Sequence, residues 1–433
     1  MHPMQTRPPR CLPPADVVRS VRPAQIAVVA ESRWAGLSRA GSRRRSLSPL
    51  PRWGRGADHG PFGDAGPIAS GAGASVGPGT TYTAVVSDLG APVPEHEVRL
   101  AEIVAAAERI RGRVRRTPML SSRTAGLQLQ QSHGMAAGAG PGADGVPRIF
   151  LKAEHLQVTG SFKPRGATNC VLTLSSEDRA RGIVTVSAGN HAQAVAYAGA
   201  AAGIPVTVVM PWDASRAKAE AAGSYGATVI LHGRDVGETF GRMEELRAQQ
   251  GLYFLHPYDD PAVICGQGTV GLEILDDLPG VDVVVVAVGG GGLLAGVAAA
   301  LKQRRPSVRV YGVEPEHSNA LSLGIAAGHP VTIQPHSIAD GLGASFAGVW
   351  TIDLARRHAD EIILVDEPTI AAGMRFALER MKQLLEPAGA TALGALLAGR
   401  VPIRDGEVVC AVASGGNVDL DRIPQLLALA AQS

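Results

Sequence analysis

The sequence predicts an α/β protein with mostly parallel sheets. Apolar segments of strand-like composition alternate with helix-like segments from about residue 148 onward. The longest apolar segment, VDVVVVAV at 281–288, shows no alternation of polar and apolar residues, which is typical of strands covered by helices on both faces. Aromatic residues make up only 4% of the chain and Gly is abundant, which favours helices packed closely over a sheet.

The first element with a clear pattern is a helix over 98–111, which Gly112 is placed to end. Its apolar residues fall on one stripe, namely Val98, Leu100, Ile103, Val104, Ala107 and Ile110. Strands are predicted at 148–154, 182–187, 205–210, 227–232, 281–288 and 308–314, with helices between them. The segment 131–147 interrupts this alternation and is predicted to be a flexible surface loop.

The composition limits the class of protein. A chain of 433 residues can form one large or two ordinary domains, and it has no apolar run long enough to span a bilayer. The cysteines are far apart and form no CxxC pair, which argues against a disulfide framework or a zinc site; they are Cys11, Cys170, Cys265 and Cys410. We therefore expect a protein of the reducing cytoplasm with no membrane partner.

Residues 1–95 form an extension rich in Arg, Pro and Gly that we expect to be disordered. Residues 1–56 hold eleven arginines against only Asp16 and Glu31, whereas the rest of the chain has more acidic than basic residues. An organelle transit peptide and a nucleic-acid-binding tail around residues 43–45 stay open as alternatives. Because the basic residues concentrate in this extension, we expect no nucleic-acid partner for the folded body.

A cluster of four glycines at 289–292 follows the strand at 281–288 and precedes a predicted helix over 293–302. Small residues in this position allow backbone N–H groups and a helix N-terminus to surround a phosphate. The spacing also fits the G-x-G-x-x-A form of the dinucleotide fingerprint, with Glu314 near the expected ribose-binding acid. The cluster alone leaves three interpretations open: a dinucleotide site, a site for another phosphorylated cofactor, and a structural turn.

Lys163 lies in the turn GSFKPRG and is one of only five lysines, against thirty-six arginines. Only lysine has an amine that can lose its proton and attack a carbonyl group. Burial beside the ring of Phe162 and beside a second cation, for which Arg165 is a candidate, would favour the neutral amine. The alternative is an ordinary surface lysine in a loop.

A second turn, SAGNHAQAVAYAG at 187–199, lies between a predicted strand and a predicted helix. Ser187, Asn190 and His191 cluster there around Gly189. Because open α/β sheets bind ligands at the carboxyl ends of their strands, this turn predicts a site for a small carboxylate. Taken alone, a histidine such as His191 is more often a hydrogen-bonded cap or surface residue.

Six segments, in matching order and spacing, resemble the threonine dehydratases (threonine ammonia-lyases), which are pyridoxal-phosphate enzymes of the tryptophan-synthase-β-like fold type II. The segments are LKAEHLQVTGSFKPRGATN, SAGNHAQAVA, HPYDDPAVICGQGTVGLEI, VGGGGLLAG, EPAGATALGAL and ASGGNVDL. The resemblance runs from about 98 to 428. It implies two open, twisted, mostly parallel α/β domains with pyridoxal 5′-phosphate between them: a large domain of 96–181 and 260–433, and a small mobile substrate-loop domain of 182–259.

The resemblance also implies a role for each matching residue. Lys163 matches the Schiff-base lysine, which also serves as the base at Cα, and Phe162 matches the residue beside the cofactor ring. Ser414 matches the hydroxyl that faces the pyridine nitrogen, Asn190 the donor to the 3′-oxygen, and Glu386 an acid near the cofactor. The phosphate cup is matched by Gly289, Gly290, Gly291, Gly292 and Leu293, and the substrate-carboxylate site by Ser187, Ala188, Gly189, Asn190 and His191.

The implied reaction is dehydration of L-threonine, and of L-serine, to 2-oxobutanoate or pyruvate and ammonia. A serine at the pyridine nitrogen, in place of a carboxylate, favours loss of the β-hydroxyl over transamination. Ala188 stands where serine racemases carry a serine, so protonation of Cα from the second face lacks an obvious donor. A serine racemase and a hydroxyaspartate dehydratase remain the alternatives, and the preference between threonine and serine stays open.

Sixteen residues follow Asn417, so we expect no C-terminal regulatory domain and no isoleucine feedback through one. The pathway, isoleucine biosynthesis or threonine catabolism, stays open. We expect no metal ion. A divalent-cation site at Glu273 and Asp277 is a weaker hypothesis, because carboxylates four residues apart more often lie on a solvated helix face. The resemblance further implies a homodimer or homotetramer.

Overall fold

The computed structural model describes residues 96–132, 146–214, 216–234 and 236–430. The predicted extension 1–95 and most of the predicted loop 131–147 lie outside these residues. Within them, helices and strands alternate and form two sheets, which confirms the predicted α/β class. None of the helices in the described ranges combines the length and apolar character needed to cross a membrane.

The helices and strands of the described residues are numbered in chain order. The helices are α1 (Leu100–Ile110), α2 (Arg123–Ser132), α3 (Lys163–Thr173), α4 (Ser176–Arg181), α5 (Asn190–Ala202), α6 (Arg216–Ser224), α7 (Val236–Gln250), α8 (Pro261–Asp277), α9 (Gly292–Arg304), α10 (Ala320–Ala327), α11 (Val349–His358), α12 (Glu367–Phe376), α13 (Pro387–Leu397) and α14 (Ile423–Leu429). The strands are β1 (Met119–Ser121), β2 (Arg148–Lys152), β3 (Ile183–Val186), β4 (Val206–Met210), β5 (Thr228–Leu231), β6 (Tyr253–Phe254), β7 (Val283–Ala287), β8 (Arg309–Pro315), β9 (Glu361–Val365) and β10 (Val408–Val412).

Two sheets organise the described chain. A six-stranded sheet has the order β1-β2-β10-β7-β8-β9, and a four-stranded sheet has the order β5-β4-β3-β6. The pairs in both sheets are parallel except for β1 with β2. The chain thus leaves the six-stranded sheet after β2, builds the four-stranded sheet, and returns. We call residues 183–254, which hold the four-stranded sheet, the small lobe, and the rest of the described chain the large lobe.

Strand β7 explains the apolar run without alternation. Val283, Val285 and Ala287 pack into a core on one face of the six-stranded sheet, which α13 also lines. Val284 and Val286 pack into a second core on the other face, which α9 also lines. Because successive side chains point to opposite faces and both faces are covered by helices, every position of this strand must be apolar.

Helix α1 is slightly shorter than predicted, and its buried face is rotated. Ile103, Ala106 and Ile110 are buried, whereas Val104, predicted on the apolar stripe, is 43% exposed. Residues three and four apart lie on one helix face, so Ile103, Ala106 and Ile110 form the buried face, which packs against α8. Val104 lies off this face and points outward. Gly112 follows the helix with a φ of 74°, as expected of a glycine that ends a helix.

Helix α3, which begins with Lys163, packs on both lobes. Ala167, Cys170 and Val171 belong to the core of the small lobe. On another side, Gly166 of α3 lies against α8, where a Cβ atom on Gly266 would approach the Arg165 carbonyl oxygen to 2.5 Å. The position of Lys163 is therefore set by contacts with both lobes.

Candidate active site

The turn before α3 runs beside the segment that follows β10. Thr159 and Gly160 both have positive φ, 62° and 75°, and Pro164 lies in the first turn of α3 as predicted. The Phe162 backbone N–H donates to the carbonyl of Ser414 at 3.0 Å, and the Gly416 N–H donates to the carbonyl of Gly160 at 2.9 Å. These bonds bring together two motifs that are more than 250 residues apart in sequence.

Lys163 is half-buried, and protein groups surround its amine. Its Nζ donates to the carbonyl oxygen of Pro257 at 2.8 Å and lies 5.2 Å from the centre of the Phe162 ring. Burial lowers the pKa of Lys163 to about 8, so part of the amine is neutral near neutral pH. A surface lysine in a loop, the alternative interpretation, does not have this environment.

Arg165 does not act as the second cation that the sequence suggested beside Lys163. Its guanidinium group is buried and makes two hydrogen bonds of 2.8 Å to Glu154 and two of 2.8 Å to Glu273. A helix turns by about 100° per residue, so side chains two positions apart point in different directions. Arg165 therefore ties α3 to α8 and to the segment after β2, away from the Lys163 amine.

The same ion network occupies the carboxylates of the weaker cation-site hypothesis. Glu273 also accepts from Lys152 Nζ at 2.7 Å, and Asp277 accepts from Arg116 at 2.5 Å. Burial alone would raise the pKa of Glu273, but its hydrogen bonds and charge pairing with Arg165 and Lys152 hold it below the ordinary value. Within the described ranges, no group of three His, Cys, Asp or Glu side chains is arranged to hold a metal ion. The geometry disfavours a divalent cation at Glu273 and Asp277.

The turn between β3 and α5 presents Ser187, Gly189 and Asn190. The Ser187 hydroxyl accepts from the Gly189 N–H at 3.1 Å, and α5 begins at Asn190 without a side-chain cap. The N–H groups of this first helical turn therefore lack intrahelical partners and can bind an anion. The Ala188 side chain packs partly against the small-lobe core.

His191 differs from its neighbours on this turn. Its ring is buried, and its Nε2 lies 3.2 Å from the carbonyl oxygen of Leu255. Burial, together with the nearby charge of Lys163, holds the pKa of His191 well below its ordinary value. The ring is therefore a neutral group in the interior, close to Lys163, and not the surface or cap residue of the alternative interpretation.

The segment after β6 contributes contacts that the sequence did not predict. Pro257 supplies the carbonyl that binds Lys163. His256 next to it is half-buried, and desolvation and the charge of Lys163 lower its pKa to about 3. The Tyr258 ring packs so closely on the glycine cluster that a Cβ atom on Gly290 would lie 2.3 Å from it. Their segment, HPYDDPAVICGQG, had contributed to the resemblance, but only the fold reveals these contacts.

The glycine cluster leads into α9. Gly291 has a φ of 94° and caps the helix that begins at Gly292, so the N-terminus of α9 opens at this turn. The dinucleotide interpretation needs Glu314 for a ribose, but this carboxylate is buried and accepts hydrogen bonds from the N–H groups of Leu321 and Ser322. Glu314 thus caps α10, which argues against the dinucleotide interpretation and leaves a phosphorylated cofactor or a structural turn.

Ser414 and Glu386 complete the cluster. The Ser414 hydroxyl is buried and donates to the carbonyl of Ala388 at 3.3 Å. Burial raises the pKa of Glu386 to about 7, and its Oε1 accepts from Asn190 Nδ2 at 2.6 Å. The first residue of α5, the start of α13 and the end of β10 therefore meet at one place.

These residues fit pyridoxal phosphate. The Lys163 amine, whose pKa is lowered, and the glycine-rich N-terminus of α9 both contact the segment 257–258, so an amine that could bind an aldehyde lies near a turn that could bind a phosphate. The buried hydroxyls of Thr159 and Ser161, in the turn before Lys163, have no hydrogen-bond partner among the described residues. Buried polar atoms normally find partners, which indicates that a ligand completes this site.

Comparisons with known proteins agree with this fit. The family described as "Pyridoxal-phosphate dependent enzyme" matches residues 110–415. The catabolic L-threonine dehydratase TdcB of Staphylococcus aureus strain N315 is 41% identical over 334 residues, which cover 76% of this chain and 91% of that protein.

Solved structures give the same result. A threonine deaminase from T.th. has a TM-score of 0.65 at 38% identity, covering 74% of this chain and 99% of that one. Maize serine racemase has a TM-score of 0.69 at 33% identity, covering 78% and 99%. Isoform 2 of threonine deaminase from Solanum lycopersicum has a TM-score of 0.69 at 30% identity, covering 80% and 93%.

Proposed function

The chain belongs to the family of pyridoxal-phosphate-dependent enzymes, and from this membership we propose that it is a threonine dehydratase (threonine ammonia-lyase). It converts L-threonine to 2-oxobutanoate and ammonia, and L-serine to pyruvate and ammonia. The observation that carries the proposal is the Lys163 amine, with its pKa lowered to about 8, in a chain 41% identical to a threonine dehydratase.

Lys163 performs the proton transfer. Bound pyridoxal phosphate supplies the electron sink that makes the substrate Cα–H acidic. Lys163 would hold the cofactor aldehyde through Nζ, and the neutral amine at that atom would accept the Cα proton of the substrate. Its lowered pKa suits both tasks, because the neutral amine is the reactive form.

The other groups hold the reactants. The N–H groups of Gly289 to Gly292 and of Leu293 would hold the phosphate at the N-terminus of α9. Ser414 would offer a neutral hydroxyl to the pyridine nitrogen, Phe162 would pack beside the ring, and Asn190 would donate to the 3′-oxygen.

The turn between β3 and α5 binds the substrate carboxylate. Ser187 and the N–H groups at the start of α5 provide the donors, and the helix N-terminus favours an anion. Ala188 and Gly189 keep this turn free of bulky side chains, and His191 supports it from the interior through its bond to Leu255.

Serine racemization is the second candidate, favoured by the similarity to maize serine racemase. A racemase needs a proton donor on each face of Cα, and Ala188 offers no hydroxyl on the second face. We therefore expect elimination to exceed racemization. Chiral chromatography of L-serine reactions separates the two, because a racemase accumulates D-serine whereas a dehydratase accumulates pyruvate.

The test of the proposed function uses Lys163→Ala. The wild-type protein should be yellow and should form 2-oxobutanoate from L-threonine, whereas the variant should lose the absorption band and about 10³-fold or more of the activity. Lys302→Ala is the matched control, because Lys302 forms an ion pair with Asp360 outside the site. A colourless wild-type protein that binds a nicotinamide dinucleotide would contradict the proposal.

Three further properties belong to the same proposal. We expect a homodimer or homotetramer, with no nucleic-acid or membrane partner, in the cytoplasm. Cys170, Cys265 and Cys410 are buried and free, which agrees with a reducing compartment, while Cys11 lies outside the described residues. Steady-state kinetics with both amino acids will give the preference between threonine and serine.

A further inference from the structure

The side chain of Asn417 joins the two lobes at the candidate active site. Its Nδ2 donates to the carbonyl oxygen of Thr159 at 2.7 Å and to Oδ1 of Asn190 at 2.7 Å. Thr159 lies in the turn that leads to Lys163, in the large lobe, and Asn190 is the first residue of α5, in the small lobe. Asn417 itself lies in the segment that follows β10, so one amide ties this segment to two other parts of the chain.

The turn before Lys163 is shaped around this amide. A Cβ atom on Gly160 would lie 2.3 Å from Asn417 Oδ1, so only glycine fits here. Thr159 has a φ of 62°, a backbone conformation that residues other than glycine rarely adopt. Such a conformation persists only when the surrounding structure holds it. The hydrogen bond from Asn417 to the Thr159 carbonyl supplies part of that restraint.

Asn417 also fixes which way the Asn190 amide faces. Asn417 Nδ2 is a donor, so its partner on Asn190 must be the amide oxygen. The Asn190 Nδ2 then points toward Glu386 and lies 2.6 Å from its Oε1. Rotating the Asn190 amide by half a turn would place its two donor hydrogens against Asn417 Nδ2 and its oxygen against Glu386. The observed chain from Thr159 to Glu386 satisfies each donor with an acceptor.

We propose that Asn417 is a positioning residue, which orients the Asn190 amide and holds the turn that carries Lys163 without contacting the reacting atoms itself. The catalytic consequence rests on the proposed function, in which Asn190 donates to the cofactor and Lys163 transfers the proton. The consequence for cofactor binding does not depend on which amino acid the enzyme converts.

Two variants test the inference in the holoenzyme. Asn417→Ala removes the amide, and Asn417→Asp keeps its size but replaces the donor by acceptors, which should draw the Asn190 Nδ2 away from Glu386. For both we expect a shifted absorption maximum of the bound cofactor, weaker cofactor binding by the apoenzyme, and a loss of about 10- to 100-fold in kcat with a smaller change in KM.

A double-mutant cycle with Asn190→Ala separates positioning from general stability. If Asn417 acts through Asn190, Asn417→Ala should cost much less in the Asn190→Ala background than alone. Gln303→Ala is the matched control: this amide, at the C-terminal end of α9, donates to the carbonyl of Val98 and accepts from the Leu100 N–H, so its loss should lower Tm without shifting the cofactor band.

Three results would overturn the inference. A wild-type band and wild-type cofactor affinity in Asn417→Ala, with only a lower Tm, would overturn the inference, and so would fully additive effects or failure of both Asn417 variants to fold. If the wild-type enzyme binds the cofactor but forms no 2-oxo acid, the proposed function fails, while the band shift and the cofactor affinity still decide the role of Asn417.

Discussion

At the scale of single residues, burial shifts the titrating groups of the site toward their neutral forms. It lowers the pKa of Lys163 to about 8 and that of His256 to about 3, and it raises the pKa of Glu386 to about 7. A site built from largely neutral groups contains few negative charges that would repel an anion. A phosphate or carboxylate bound there would meet mainly N–H donors and a reactive amine.

Glu386 provides a prediction about stability. In the unfolded chain it ionises near its ordinary pKa of 4.5, whereas in the folded protein it keeps its proton up to about pH 7. The folded state holds the extra proton between these values, so the free energy of unfolding should fall as pH rises from about 4.5 to about 7, by about 3 kcal/mol at most. Glu386→Gln, which can still accept from Asn190, should remove this decline.

Urea unfolding of the cofactor-free protein at pH 5 and pH 8 measures this effect. The wild-type protein should lose stability between the two pH values relative to Glu386→Gln, whose carboxamide does not titrate. Equal pH dependence in the two proteins would mean that Glu386 is ionised in the folded state across this range.

The sequence predicted a contact between residues adjacent in one motif and missed contacts between distant parts of the chain. Lys163 and Phe162 meet as predicted, because they are adjacent in one turn. Arg165 was assigned to the wrong neighbour, because adjacency in sequence does not give direction around a helix. Asn417 was assigned no role, since its partner Thr159 is 258 residues away and only the folded chain brings them together.

At the scale of elements, glycines set the distance between the helices that carry the site. A Cβ atom on Gly266 of α8 would lie 2.6 Å from Gly166 Cα of α3, and one on Gly296 of α9 would lie 2.6 Å from the Gly268 nitrogen of α8. The sequence predicted helices over a parallel sheet from its abundant small residues. Which glycines form the contacts could not be predicted, because helix faces are paired only in the fold.

Gly266→Ala tests this spacing. The added methyl group must push α3 away from α8, so we expect a loss of about 1–3 kcal/mol in the free energy of unfolding. Because α3 begins with Lys163, a displacement of about 1 Å should also lower kcat by about 100-fold.

A matched control for the glycine substitution lies in α7. Gly241 has no atom within 4 Å of the place where a Cβ would stand, so Gly241→Ala should stabilise the protein by up to about 1 kcal/mol and leave kcat unchanged. Urea unfolding and steady-state kinetics compare the two variants. If both substitutions behave alike, close contact between α3 and α8 does not control the site.

At the scale of the whole molecule, an ion group links the two lobes near the buried Glu386. Lys218 of α6, in the small lobe, lies 2.8 Å from Asp340 of the large lobe, and Arg422 lies 3.5 Å from the same Asp340 oxygen. Both Lys218 and Asp340 are partly exposed, so their pair contributes about 1 kcal/mol or less to stability. Their charges nevertheless reach Glu386: Asp340 raises its pKa and Lys218 lowers it.

This arrangement predicts opposite effects for the two partners of one ion pair. Asp340→Asn removes a negative charge near Glu386 and should lower its pKa, whereas Lys218→Met removes a positive charge and should raise it. The measurement follows activity or cofactor absorbance against pH. The relevant transition is the one that Glu386→Gln abolishes, and its midpoint is compared between the variants. Both shifts should shrink at high salt, since mobile ions screen partly exposed charges, and Tm should barely change.

Lys302→Met is the control for these charge variants, because Lys302 pairs with Asp360 at similar exposure within the large lobe. It should leave the midpoint unchanged. Shifts of the same sign in Asp340→Asn and Lys218→Met would contradict a direct effect of charge and would instead indicate that breaking the pair moves the lobes. Opposite shifts at constant Tm would mean that the small lobe, through Lys218, tunes a carboxyl group of the large lobe without a change in fold.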